Sequence, residues 1–201
     1  MYDGLAGRRP VLAGCAVALA GCSLLPEEPE SIEAEAAAPV VLPESPGYTT
    51  VVAEEPTVET MVRVDLSGDV QLTSRRDVTA TVFRRVCEAP GGRRFGLLTA
   101  PAVRVVEDSE VIRDPVASLD ADRVLELATD CTTGSVDGYE KAGSVMLLST
   151  ETTREVTTAT LDGGDAQVVR VRVRAGEDSV TAVAVAPDGV EHPFENVRRE
   201  A

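Results

Sequence analysis

Any nucleophilic mechanism of the Ser-His-Asp or Cys-His kind must pass through His192, the one histidine in 201 residues. It lies in a proline-flanked stretch near the C-terminus, and no G-x-S-x-G elbow accompanies it. His192 therefore reads as a surface or edge residue. Zinc sites built from His and Cys are excluded by count, and no Walker or dinucleotide motif appears, so no cofactor is implied. Carboxylates are plentiful, 34 in all, which makes any single pair uninformative. Asp162 and Asp165 bracket two glycines and in principle suit calcium. Their loop lacks the ligand number of a calcium site and reads as a hairpin turn, since Gly supplies positive φ and Asp tolerates it. The sharpest polar pattern is Arg170, Arg172 and Arg174. At period two they share one face of a strand, while Val169, Val171 and Val173 share the other. The expectation is a half-buried strand with its arginines in solvent. Either acids such as Glu155, Glu177 and Asp178 pair with them, or they present a face to an anionic partner.

The elements that must position these groups are mostly strands. Val-rich runs follow one another from about residue 57, including 58–66, 70–73, 78–87, 95–98 and 102–106. They are broken by turn signals at Ser67-Gly68 and Pro90-Gly91-Gly92. One helix is indicated. Ser118 or Asp120 can cap its first turn, Val124, Leu127, Ala128 and Cys131 recur on one face, and Gly134 suits a left-handed end. Asp120 and Asp122 then sit at the positive end of the helix dipole. Four runs follow, 144–150, 155–161, 168–174 and 179–186, joined by short Gly/Asp connectors, and Pro187-Asp188-Gly189 turns the chain afterwards. That spacing predicts an antiparallel meander. The fold class is thus α+β: a mainly antiparallel β-meander with one main helix, after a disordered N-terminal stalk.

The stalk rests on composition. Residues 23–56 contain six of the twelve prolines, eight acidic residues and no basic one. Such a segment buries too little apolar surface to offset chain entropy. The run YTTVVA at 48–53 has strand composition and borders the folded part. The formal charge is −15. An acidic surface repels phosphate backbones, which argues against nucleic acid as a partner.

Ahead of the stalk, Arg8 and Arg9 precede ten apolar, Ala-rich residues from Val11 to Ala20. That run is too short to span a bilayer but suits a signal-peptide core. It closes on Leu19-Ala20-Gly21-Cys22. Over these 22 residues the chain resembles bacterial lipoprotein precursors. The resemblance implies cleavage between Gly21 and Cys22, lipidation of Cys22, and a cell-membrane location facing the extracytoplasmic side. The upstream Leu12-Ala13-Gly14-Cys15 leaves no room for an apolar core and is set aside. The Arg pair also resembles a twin-arginine export signal, although Pro10 weakens the match. The implied organisation is signal peptide 1–21, lipidated N-terminus and acidic linker 22–56, and a small extracytoplasmic domain 57–201.

Processing of this kind removes Cys15 and occupies Cys22, leaving Cys87 and Cys131. Two cysteines in an oxidising compartment suggest a disulfide pinning helix to sheet. The alternative is two separate buried thiols. The leading functional reading is a non-catalytic binding or interaction domain for an envelope protein, polymer or lipid. A carrier or chaperone for an apolar ligand, and a carboxylate-dependent envelope hydrolase, are the other readings.

Overall fold

The computed structural model describes residues 31–43, 47–66, 72–105, 111–186 and 192–200. Cys15, Gly21, Cys22 and the turns expected at Ser67-Gly68 and Pro187-Asp188-Gly189 lie outside the described residues. Strands β1 (Ile32–Glu35), β2 (Val40–Val41) and β3 (Thr49–Glu54) come first, then the hairpin β4 (Thr57–Leu66) and β5 (Leu72–Thr81). Strands β6 (Phe83–Ala89), β7 (Arg93–Pro101), β8 (Val103–Arg104) and β9 (Ile112–Arg113) lead to the helix α1 (Ala121–Thr129). After it come β10 (Thr133–Val136), β11 (Glu140–Leu147), β12 (Thr150–Leu161), β13 (Gly164–Ala175), β14 (Asp178–Ala186) and β15 (Arg198–Arg199).

The centre is an eight-stranded antiparallel sheet in the order β10-β12-β13-β14-β7-β6-β3, with β11 also on the outer edge of β12. The four-strand meander is β11 to β14, and its strands run longer than expected because the connectors are two-residue turns. In the β12–β13 turn Asp162 and Gly163 both take positive φ, 51° and 83°. That is the hairpin geometry whose twist matches the strands.

Both faces of this sheet are covered, and each carries its own core. Leu98, Val168, Val183 and Val185 point towards α1 and a smaller sheet in which β5 lies between β1 and β4. Phe95, Leu97, Val169, Val171, Val173 and Val180 point the other way, under Val40, Leu147 and Phe194. Helix α1 buries Val124, Leu125 and Ala128, with Leu127 only half-buried, so its inner face is rotated from the one expected. It starts after Asp120, whose side chain makes no capping bond, and ends on Asp130 at φ 60° rather than at Gly134, which lies in β10. Arg84 holds that end in place. Its Nε donates to the Leu127 carbonyl at 2.5 Å, Nη2 to Asp130 at 2.6 Å, and Nη1 to Glu54 on β3.

Two expectations are corrected by this arrangement. The linker expected to run to residue 56 is part of the fold from β1 onward. Ile32 and Ala34 face the helix-side core while Glu33 and Glu35 face solvent, and β1 pairs in parallel with β5. Strand β2 pairs with β15, and β3 forms an edge of the large sheet beside β6. The expected Cys87–Cys131 disulfide is replaced by two free, buried thiols. The reason is side-chain alternation: in β6, Arg84 reaches α1 and Cys87, of the opposite parity, faces away, so the sheet separates the two sulfurs into different cores. Thr50 Oγ1 lies 3.5 Å from the Cys87 sulfur, and Arg94 Nη1 lies 2.8 Å from the Cys131 sulfur. Burial pushes both thiols up in pKa, opposed at Cys87 by its hydrogen bond with Thr50 and at Cys131 by the bond its thiol donates to the Thr129 carbonyl and by Arg94. Buried, protonated thiols are poor nucleophiles. A thiol reagent should therefore label neither residue in the native protein and both after denaturation, and reductant should leave the melting temperature unchanged. A reductant-sensitive melt would restore the disulfide.

Candidate functional site

The arginine row does not stand free in solvent. Arg170 donates through Nε and Nη2 to Glu155 Oε2 at 3.0 and 2.8 Å, and its guanidinium lies 3.6 Å from the centre of the Tyr139 ring. Arg172 is half-buried, its Nε without a hydrogen-bond partner among the described residues. Burial, followed by neighbouring Arg170, lowers its pKa, and nearby Asp114 opposes that effect. The Asp114 carboxyl is itself pushed up by burial. Only Arg174 is exposed, with Nε on the Gly176 carbonyl at 3.2 Å. Of the acids named beside them, Glu155 is a partner. Asp178 is not: it is buried on the opposite face, where it receives the Ala37 amide and pairs with Arg199. The row is a set of compensated, partly covered charges and no continuous anionic-partner face. Asp162 and Asp165 serve the turn, accepting from the Thr132 amide at 2.9 Å and the Thr160 hydroxyl at 3.0 Å.

A concavity that can receive a ligand lies on the other face of the sheet. It is an open cleft of about 770 Å³ over β12 and β13, with Val156 and Val169 in its lining and Asp137, Lys141, Arg154 and His192 around them. Two irregularities in the strand edge beside β12 shape it. Between β10 and β11 the ladder breaks, and Asp137 is held there by its amide on the Thr158 carbonyl and its own carbonyl on the Thr157 hydroxyl. Within β11 the register shifts between Lys141 and Ser144, where Gly143 adopts φ 93°. The shifted segment turns the Ala142 carbonyl to accept Arg154 Nε at 3.1 Å, which fixes that guanidinium on the cleft wall. Bulges commonly re-aim side chains in this way at sites.

His192 reaches the cleft through its neighbour Phe194. That ring is buried, packs edge-on against Phe95 at 5.3 Å, and meets the imidazole at 5.8 Å. Burial, then Arg154 and Arg93, hold the imidazole pKa below its ordinary value, so the ring is neutral at neutral pH. Its Nδ1 is sealed from solvent and has no hydrogen-bond partner among the described residues. His192 is therefore half-buried beside a cleft rather than a simple surface residue. The sequence pattern missed this because the other cleft residues lie far away along the chain. One compositional signal was present: Lys141 and His192 are the only lysine and the only histidine, and both line the cleft. No protein-family model, no curated protein and no solved structure matches the chain. None of the helices among the described residues is long and apolar enough to cross a membrane.

Proposed function

We propose that the protein is an envelope lipoprotein, anchored through Cys22, whose folded domain is a non-catalytic binding module with the cleft beside His192 as its site. The observation that carries the binding reading is the cleft itself: open, ringed by polar side chains and set on a rigid sheet. The apolar side chains of both cores are spent on packing against each other. That favours a polar binding module over a carrier for an apolar ligand. The start of the fold sharpens where the module acts. Eight residues separate Cys22 from Ser31, nine steps along the chain. Even fully extended, they span about 30 Å. A lipid on Cys22 therefore holds the domain against the membrane surface instead of lifting it away on a long stalk.

The anchor is tested by Cys22→Ser. Two acyl chains give firm attachment, since each buried methylene contributes about 0.8 kcal/mol. The variant should move from the membrane fraction to the soluble fraction with an unchanged melting temperature. Retention in the membrane fraction would overturn the anchored reading.

A further inference from the structure

The small sheet is open on one side. Its order is β1-β5-β4, and among the described residues no strand lies beyond β4, so the outward amides and carbonyls of this ten-residue strand have no ladder partner there. Val58 and Val62 point into the helix-side core, while Glu59, Met61 and Arg63 line the solvent face. Met61 is 56% exposed, a large apolar side chain between an acid and a base. Within the hairpin Glu59 stands across from Thr79, Met61 from Asp77 and Arg63 from Arg75. Open edges are usually guarded by charges that repel a second copy. These charges do the opposite. In an antiparallel pair of identical strands centred on Met61, Glu59 of each copy falls opposite Arg63 of the other, and the two methionines meet. Opposite charges and apolar pairs directly across a ladder both stabilise it, and the carboxylate from the second copy also offsets the like charges of Arg63 and Arg75. The neighbouring registers lack this match: centring on Thr60 sets Met61 against Glu59, and centring on Val62 sets it against Arg63.

We propose that two copies of the chain join edge to edge through β4, antiparallel and centred on Met61, making one six-stranded sheet from the two small ones. Such a pair is isologous, with a twofold axis running normal to the sheet through the Met61 contact. The register of β1 fits it. Strand β1 pairs with β5 so that Ile32 stands beside Val78, which puts Ser31 level with Asp77 and hence with Met61. The two Ser31 residues then lie at one level on either side of the axis, five strand spacings or about 24 Å apart. A membrane lying across the axis is therefore within reach of both eight-residue segments that follow Cys22. The interface needs neither the anchor nor the cleft, so it stands or falls apart from the function proposed above.

Sedimentation equilibrium of the full-length chain in density-matched detergent reads the association directly. The wild type should pass from monomer to dimer at about 1–100 μM, as suits a small interface. E59R and R63E should each weaken the dimer about tenfold or more, because every charge pair across the axis becomes a like pair. An equimolar mixture of the two variants should recover wild-type association, since the reversed charge on each copy then faces its opposite on the other. M61R should weaken the dimer by a similar factor, by placing two guanidinium groups on the axis. It should also keep the fold, because Met61 is exposed and stands across from Asp77, so it carries the test together with E59R if R63E does not fold. A wild-type chain that stays monomeric up to about 1 mM, a dimer that E59R and M61R leave intact, or a mixture of folded E59R and R63E no tighter than its components overturns the proposal.

Discussion

Gly96→Ala should cost the domain about 3 kcal/mol or more, lowering its melting temperature by about 10 °C, or prevent folding altogether. Gly96 lies in the middle of β7, opposite Val86 on β6 and Val183 on β14. The two valines leave a trough where Gly96 has no side chain, and Ala128 of α1 seats in it. A Cβ on residue 96 would sit 1.8 Å from the Ala128 carbonyl oxygen and 2.6 Å from its carbonyl carbon. Neither atom can swing aside as a side-chain tip could. The helix as a whole has to lift by more than an ångström, which unseats Val124, Leu125 and Ala128. It also strains the Arg84 bond to the Leu127 carbonyl and the Arg94 bond to the Thr129 carbonyl. Trimming the partner does not help, because the two closest atoms are backbone: the double variant Gly96→Ala/Ala128→Gly should stay as destabilised as the single one. Gly138→Ala is the matched control, since a Cβ there meets nothing within 4 Å. Thermal melts followed by circular dichroism decide it. A Gly96→Ala protein that melts with the wild type would mean that α1 does not lie on β7 as described.

The same contact explains part of what the sequence withholds. Alternation along β13 is local, so the valines at 169, 171 and 173 announce their burial without knowledge of the rest of the fold. Which face of the sheet the helix covers is not local. It is decided at Gly96, by what is missing from the surface, and composition has no sign for that. The Cys87–Cys131 expectation fails at this point: strand and helix are both legible as elements, but the sulfur of Cys87 points to the face the helix does not occupy. The arginine row is misjudged for a related reason. Its period-two pattern separates it from the valines, yet Arg170 shares a face with buried Val168 and lies over Tyr139, in cover supplied by distant chain. The cleft is harder still to read. Arg154 and His192 come to one cleft only after a bulge in β11 turns the Ala142 carbonyl onto the guanidinium and Phe194 anchors the His192 segment. Nothing in the spacing of those residues specifies the meeting.

A chain beginning at Thr57, where strand composition becomes continuous, should not fold cooperatively, whereas one beginning at Ser31 should melt like the full-length protein. The charge and proline content of the preceding segment hide a period-two pattern, Ile32-Glu33-Ala34-Glu35-Ala36, whose apolar members face inwards. Averaged over thirty-odd residues the segment is acidic and extended; read residue by residue it is a strand. Removing it strips the fold in three places. Strand β5 loses β1 from its outer edge, and β6 loses β3, which exposes a long sheet edge to aggregation. The second core loses Val40 and Leu42, and burying two such side chains contributes about 3–6 kcal/mol. Polar groups are orphaned as well. The Asp178 carboxylate, only 1% exposed, loses the Ala37 amide, and Arg84 loses Glu54. Each such loss adds about 1–3 kcal/mol where the group stays buried. Set against a typical total stability of about 5–15 kcal/mol, these losses leave little or nothing. The measurement is the dispersion of amide resonances together with the sharpness of the thermal transition in the two truncated chains. A cooperative, native-like melt from the chain beginning at Thr57 would show that β1, β2 and β3 decorate a domain that is complete without them. Failure of the chain beginning at Ser31 would mean that residues before the described region take part in the fold.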